Sequence, residues 1–285
     1  MKKTVLITGC SSGFGRAAAL HFAAQGWNVV ATMRTPAAGA ELAKRPGVLV
    51  TRLDVQERAS IDAALTAAVE RFGGLDVVVN NAGFGLHGIF ESTPREKILE
   101  QFEVNVFGVM DVIRATLPHF ARRGGGTFVN VSSGAGVFTL PMISLYCASK
   151  FALEGFSEAL AYELTSQNVR MKIVEPGGVL DSQFVSRSAQ EAAQGTIPPR
   201  YAAFARETER VSASLREARS KATSESVAEV IYTAATDASD RLRYVATDGI
   251  KPLVKLRRET SEDTYLAFMR EHFLARPAPD GEAPR

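Results

Sequence analysis

Short apolar runs alternate with helical patterns along almost the whole chain. Thr4–Thr8 is β-branched and apolar, and Asn28–Thr32, Val48–Leu53, Asp76–Val79, Thr127–Val131 and Arg170–Val174 repeat that character. Each has the length and composition of a strand buried on both faces. Between these runs the apolar positions return at helical spacing. Gly13–Gln25 is Ala-rich and closed by Gly26, a good helix stop. Ile61, Leu65, Ala68, Val69 and Phe72 form a second helical stripe that ends at Gly73-Gly74. Pro94, preceded by Ser92-Thr93 as candidate caps, opens a long helix running to about Arg123. Another helix begins at Tyr146, between the fifth and sixth strands.

This alternation predicts an α/β protein: a doubly wound, Rossmann-like parallel sheet in three layers, formed as a single domain over residues 1–275. After the sixth strand the pattern loosens. Residues from about 178 to 222 contain Pro198-Pro199 and a charged helical stretch, Tyr201–Arg219. That is long for a connection and reads as a substrate lid. Val227–Ala235 predicts a helix, Leu242–Ala246 a last strand and Glu262–Phe273 a closing helix. Residues 276–285 have the composition of a disordered tail.

Composition narrows the function classes. Of 285 residues, 46% are hydrophobic and 22% charged, as in ordinary soluble domains. A net charge of +2 argues against nucleic acid or an anionic membrane surface as partner. No apolar stretch approaches the roughly 18 residues of a membrane span. Met1-Lys2-Lys3 before Val5–Cys10 imitates a signal peptide, but its apolar part is too short. Cys10 and Cys147 are the two cysteines, which provide neither a disulfide framework nor zinc spacing and fit a cytoplasmic setting. His21, His87, His119 and His272 lack paired metal spacing, so no metal is expected.

Candidate chemistry begins at Thr8-Gly9-Cys10-Ser11-Ser12-Gly13-Phe14-Gly15, between the first strand and the first helix. Glycines allow a tight turn and close backbone approach, and a helix N-terminus attracts a diphosphate. Gly13-Phe14-Gly15-Arg16-Ala17-Ala18 also satisfies the dinucleotide pattern G-x-G-x-x-G/A. An NAD site usually carries an acid roughly 20 residues later. Here the second strand ends Thr32-Met33-Arg34, and the first acid in the chain is Glu41. Arg34 could grip a 2′-phosphate, with help from Ser11, so NADP(H) is expected over NAD(H).

Tyr146 and Lys150 stand one helical turn apart and project from one face. An unperturbed phenol titrates near 10, and a neighbouring cation favours its phenolate, which makes the pair an acid–base device. Ser133, at the end of the fifth strand, could place a hydroxyl beside the phenol; Ser132 could do so as well, and strand alternation puts the two on opposite sides. Asn105 is a poor helix former inside an apolar stretch, and if buried it needs partners. Cys147 reads as a packed thiol rather than a nucleophile.

These motifs, in this order, resemble the short-chain dehydrogenase/reductase family over nearly the whole chain to about residue 250. The resemblance implies reversible hydride transfer between a nicotinamide and a carbonyl or alcohol carbon. It implies that Ser133, Tyr146, Lys150 and Asn105 are catalytic, Asn105 holding a water that connects Lys150 to solvent. Gly9, Ser11, Ser12, Gly13, Phe14 and Gly15 would then hold the diphosphate, and Asp54-Val55 the adenine, although Asp54 could equally cap the following helix. Asn80-Asn81-Ala82-Gly83 matches the family's N-N-A-G, which places Asn81, Ala82 and Gly83 along the cofactor. Tyr146 and Lys150 would reach the nicotinamide ribose, and Pro176, Gly177 and Val179 would lie near the nicotinamide. One departure stands out: relatives commonly carry a Thr where this chain has Asp181, followed by Ser182.

Tyr146–Gly155 looks especially like members acting on steroid- or retinol-type alcohols. Phe84, Leu86, Val137, Phe138, Leu140, Met142, Ile143 and Phe184 fall in loops beyond strand ends, where such sheets bind ligands, and their character suits a lipophilic substrate. Long helices like those that form subunit contacts in relatives imply a homodimer or homotetramer. Two other functions fit the same fold: a catalytically silent NADPH-binding sensor or scaffold, and an epimerase or dehydratase working through transient oxidation.

Overall fold

In the computed structural model, residues 2–179, 197–217 and 222–273 are described. Seven parallel strands form the sheet: β1 (Thr4–Ile7), β2 (Asn28–Met33), β3 (Val48–Arg52), β4 (Val77–Asn80), β5 (Gly126–Val131), β6 (Val169–Glu175) and β7 (Arg243–Val245). Their order is β3-β2-β1-β4-β5-β6-β7. Leu6 pairs with Val30 on one side and Val78 on the other, so the sheet reverses its winding beside β1. Among the described residues, ten helices follow: α1 (Gly13–Ala24), α2 (Ala40–Ala43), α3 (Arg58–Phe72), α4 (Arg95–Phe102), α5 (Gly108–Arg123), α6 (Ser144–Leu164), α7 (Ala202–Glu217), α8 (Ser224–Thr236), α9 (Lys251–Glu259) and α10 (Glu262–Phe273).

The strands are apolar throughout because both faces are covered. Val5, Ile7, Val29, Ala31, Val77 and Val79 pack under Ala18 and Phe22 of α1 and Val227 and Ile231 of α8. Leu6, Val30, Val78 and Phe128 pack on the opposite side against Ile61 and Leu65 of α3 and Val112 and Ile113 of α5. The alternation along each strand divides the core into two layers around one sheet, as the sequence predicts. A smaller apolar cluster joins Val137 and Phe138 to Val254 and Tyr265 of the C-terminal helices.

Strand boundaries differ from expectation by one residue or so. The helix expected from Pro94 to Arg123 is interrupted: Glu103–Phe107 forms a π-helical turn between α4 and α5. Pro94 has extended backbone before α4. The hydroxyls of Ser92 and Thr93 bond back to the Ile89 carbonyl instead of capping the helix. Helix α9 has no counterpart in the sequence reading, because its apolar residues Leu253, Val254 and Leu256 sit among Lys and Arg and make a weak stripe. Of the expected lid, only Pro199–Tyr201, α7 and short flanks fall among the described residues, as the expected tail does not. Tyr201 donates to Glu91 at 3.0 Å and Arg200 pairs with the same carboxylate, which ties the start of α7 to the loop after β4.

Candidate active site

The carboxyl ends of β1 and β4 flank the point where strand order reverses, which is where open α/β sheets bind ligands. The turn after β1 is tightly constrained. Gly9 has φ +74°, open to glycine without strain. A Cβ on Gly15 would lie 2.3 Å from the Gly9 carbonyl and 2.4 Å from Asn81 Nδ2, so only glycine lets α1 close onto the turn. Asn81 Nδ2 donates to the carbonyls of Thr8 (2.8 Å) and Gly9 (3.2 Å). The Thr8 hydroxyl accepts from the backbone N–H groups of Asn81 and Ala82, each at 3.0 Å. The Asn-rich turn therefore braces the glycine turn.

The first turn of α1 carries no acid, and the Ser12 side chain does not cap it. Those N–H groups and the helix dipole suit a diphosphate, so the residues present fit a dinucleotide. Ser11 is exposed, Ser12 and Phe14 are half-buried, and Arg34 stands exposed just beyond β2. Asp54 accepts from Gln56 N–H at 3.1 Å, forming an Asx turn before α3 rather than capping it. Val55 is buried against Gly108 at the start of α5.

The acid–base residues gather at the ends of β5 and α6. Tyr146 is 8% exposed and Lys150 5%. The Ser133 hydroxyl stands near the Tyr146 phenol, close enough to favour its phenolate, and accepts from Ala135 N–H at 3.1 Å. Lys150 Nζ donates to the Val131 carbonyl at 2.9 Å and lies 5.8 Å from the Tyr146 ring centre. Ser132 is buried, while Ser133 is half-exposed. The side chains alone do not bring the phenol toward neutrality, contrary to expectation. Burial pushes Tyr146 up to about 12, against the nearby Ser133 hydroxyl, which lowers it. Burial also pulls Lys150 down to about 8, with the charge of Glu154 opposing. Desolvation is the largest influence on both groups in this pocket. Burial likewise raises the Cys147 thiol, so it stays a packed, neutral group.

Asn105 sits in the π-helical turn with its carboxamide paired. Its Nδ2 donates to Phe84 O (2.9 Å) and Ser149 Oγ (3.1 Å), and its Oδ1 accepts from Phe84 N–H (3.1 Å). A Cβ on Gly83 would lie 3.1 Å from Asn105 Oδ1 and 3.8 Å from Lys150 Nζ, so Gly83 separates these two groups closely. Sequence reasoning missed Gln101, which is fully buried. Its Nε2 donates to Phe84 O at 2.6 Å, and its Oε1 accepts from Leu86 N–H at 2.8 Å. Its spacing of one helical turn before Asn105 is the signal that could have found it.

Beyond β6, Pro176 O accepts from Gly134 N–H and Gly177 N–H donates to Thr247 Oγ1, each at 2.9 Å. This segment is thereby fastened to the turn after Ser133. Val179 is buried. Asp181, Ser182 and Phe184 lie outside the described residues. Among the candidate substrate residues, Phe84 and Leu86 are buried above Asn105 and Gln101, and Met142 is half-exposed with φ +65°. The Met142 carbonyl accepts from Gly88 N–H at 2.7 Å, joining the two loops. Phe138 is 2% exposed and packed into the C-terminal cluster. Among the described residues no His, Cys, Asp or Glu group of three or more could hold a metal, and no helix is long and apolar enough to cross a membrane.

Comparison with known proteins points the same way. The family profile described as short chain dehydrogenase matches residues 3–193. An uncharacterized oxidoreductase of Schizosaccharomyces pombe is 38% identical over 84% of this chain and 98% of its own length. Human 17-beta-hydroxysteroid dehydrogenase type 1 is 36% identical over 97% of this chain and 88% of its own. A Burkholderia phymatum short chain dehydrogenase/reductase solved in complex with NAD superposes with a TM-score of 0.77 at 26% identity, covering 98% of both chains.

Proposed function

Because the chain belongs to the short chain dehydrogenase family of oxidoreductases, we propose that it transfers a hydride between NADP(H) and the carbonyl or secondary alcohol carbon of a lipophilic substrate. The observation that carries this reading is the placing of Ser133 beside buried Tyr146, with buried Lys150 one turn on, at the carboxyl ends of the same strands that hold the glycine turn.

Gly9 to Gly15 and the N-terminus of α1 would hold the diphosphate, with Asp54 and Val55 toward the adenine and Asn81 to Gly83, Tyr146, Lys150, Pro176, Gly177 and Val179 toward the nicotinamide end. Bound there, the dinucleotide supplies or accepts the hydride. In carbonyl reduction the Ser133 hydroxyl donates to the substrate oxygen and orients it. Tyr146, kept protonated by burial, gives its proton to that oxygen as charge develops on it. The Lys150 cation stabilises the phenolate left behind, and protons return through Lys150 and a water near Asn105. A steroid-like substrate is favoured by the resemblance to the human hydroxysteroid dehydrogenase and by the apolar residues Phe84, Leu86 and Met142. NADP(H) is favoured by the exposed Arg34 and the absence of an acid at the end of β2.

The test is a carbonyl panel of steroids, retinoids, quinones and aliphatic ketones assayed with NADPH and NADH in parallel. Tyr146→Phe should bind NADPH unchanged, by fluorescence titration, and lose at least about a thousandfold in turnover. An active Tyr146→Phe enzyme rejects the proton-donor role. Arg34→Ala should raise KM for NADPH about tenfold while leaving NADH untouched; equal effects on both reject the 2′-phosphate assignment. A homodimer or homotetramer in the cytoplasm completes the reading. Leu99, Phe107, Phe151 and Tyr162 stand exposed on α4, the π-helical turn and α6, and both cysteines are free thiols. Sedimentation of Phe107→Glu against the native chain tests the association.

A further inference from the structure

A buried ion cluster lies beneath the catalytic residues, and the reaction as described leaves it without a role. Glu154 stands one turn after Lys150 on α6 and is 5% exposed. Its Oε2 accepts from Arg243 Nε at 2.9 Å. Arg243, on β7, also pairs with Glu158 and approaches Glu175 Oε1 at 3.6 Å. Glu175 is wholly buried and accepts from Arg258 Nη1 of α9 at 3.2 Å. Glu175 directly precedes Pro176, so the cluster touches both the catalytic helix and the nicotinamide-side segment.

One half of Glu154 is left over. Its Oε1 and the Ser132 hydroxyl are both buried without an aligned hydrogen-bond partner among the described residues. They stand near each other, close enough for the hydroxyl to favour the carboxylate. Gly136 marks the junction: a Cβ there would lie 2.8 Å from Ser132 Oγ, 2.9 Å from Glu154 Cγ and 3.1 Å from the Lys150 carbonyl. A buried carboxylate with one aligned ion pair is sensitive to the charges around it.

The groups facing Glu154 are Lys150 and Glu158 on its own helix, Arg243 on β7, Glu175 on β6 with Arg258 behind it, and Ser132 at the end of β5. Burial and the Glu175 charge favour a neutral Glu154, while Ser132 and Arg243 favour the carboxylate. Glu154 is in turn the charge that holds Lys150 up against burial.

We propose that Glu154 is a positioning residue that sets the charge of Lys150, and through it the pH range over which Tyr146 and Lys150 work, with Arg243, Glu175 and Arg258 as its counter-charge frame. The proposal rests on the catalytic reading of Lys150 given above. Glu154→Gln removes the counter-charge without changing shape. The neutral form of Lys150 then gains ground, and its titration moves acidward.

The experiment follows the Lys150 13Cε resonance against pH in the whole, cofactor-free protein carrying labelled lysine, with Lys150→Arg for assignment. The Glu154→Gln midpoint should fall by about one pH unit, and Glu154→Asp should restore most of it. The alkaline limb of kcat for NADPH-dependent carbonyl reduction should move by the same amount. A merely structural Glu154 would lower melting temperature or kcat and leave the Lys150 midpoint in place, which overturns the proposal. If Glu154→Gln does not fold, the native chain decides: its Lys150 signal must show a second, smaller inflection as Glu154 ionises, and a single inflection overturns the proposal. A native enzyme that reduces no carbonyl defeats the functional reading, yet leaves the Lys150 titration measurable.

Discussion

Lys150 carries its charge where water cannot help it. Its ordinary value of 10.5 falls to about 8 through burial. Below about pH 8 both folded and unfolded chains hold the proton, and the folded state bears the full desolvation cost. Between about 8 and 10.5 the unfolded chain still binds a proton that the folded one has lost, so this group's contribution to stability rises with pH across that window. Lys150→Met should therefore stabilise the protein at pH 7 by roughly 1–2 kcal/mol, after allowing for the lost bond to Val131. The gain should shrink by pH 10, and turnover should disappear. Urea unfolding of both proteins at the two pH values checks it; an equal gain at both would assign the effect to packing instead. Tyr146 runs the other way. Its folded value near 12 means that its stabilising contribution is complete below about 10 and is lost as pH rises toward 12.

The glycine turn and the π-helical turn are the elements that bring the ends of β1, β4 and α6 together. In the first, glycine is demanded by contact: the Gly15 position has no room for a methyl group beside Gly9 O and Asn81 Nδ2. Gly15→Ala should cost roughly 1–3 kcal/mol and weaken NADPH binding at least tenfold, read by thermal melting and fluorescence titration. Unchanged binding would mean that the turn can relax without loss of its diphosphate-binding shape. In the second, an extra residue in the helix turns Asn105 toward Phe84 and Ser149. A π-bulge is an unfavourable way to continue a helix and often marks a functional position. Asn105 and Gln101 together hold both polar groups of Phe84 and the N–H of Leu86, so the loop that carries two candidate substrate residues is anchored from α4 and the π-helical turn.

Across the whole molecule, the C-terminal helices complete the site from behind. Tyr265 of α10 accepts from Thr139 N–H at 3.1 Å, and Val254 and Tyr265 cover Phe138. Arg258 of α9 reaches Glu175 under the sheet's edge. Arg258→Met leaves that wholly buried carboxylate with Arg243 alone, at 3.6 Å. We expect a loss of about 2–3 kcal/mol, below the usual cost of breaking a buried pair because the Arg258 end is partly open to water. Urea midpoints measure it, and adding Glu175→Gln to the same variant should recover part of the loss. No recovery would show that α9 is held by its apolar contacts.

The one-dimensional pattern was enough to determine the doubly wound sheet, because strands covered on both faces must be apolar throughout and their crossovers must be helical. It was enough to pick out Tyr146, Lys150 and the glycine turn as candidates, since their chemistry depends on local spacing, while the family resemblance added Ser133. Tertiary structure decided what spacing cannot encode. The break in the helix at Asn105 depends on a loop 21 residues away in sequence, and helix α9 on apolar partners outside its own stripe. The direction of the Tyr146 and Lys150 shifts depends on how much water the folded chain removes. The cluster of Glu154, Arg243, Glu175 and Arg258 joins four elements far apart in the chain, and no local rule pairs charges across such distances before the sheet exists.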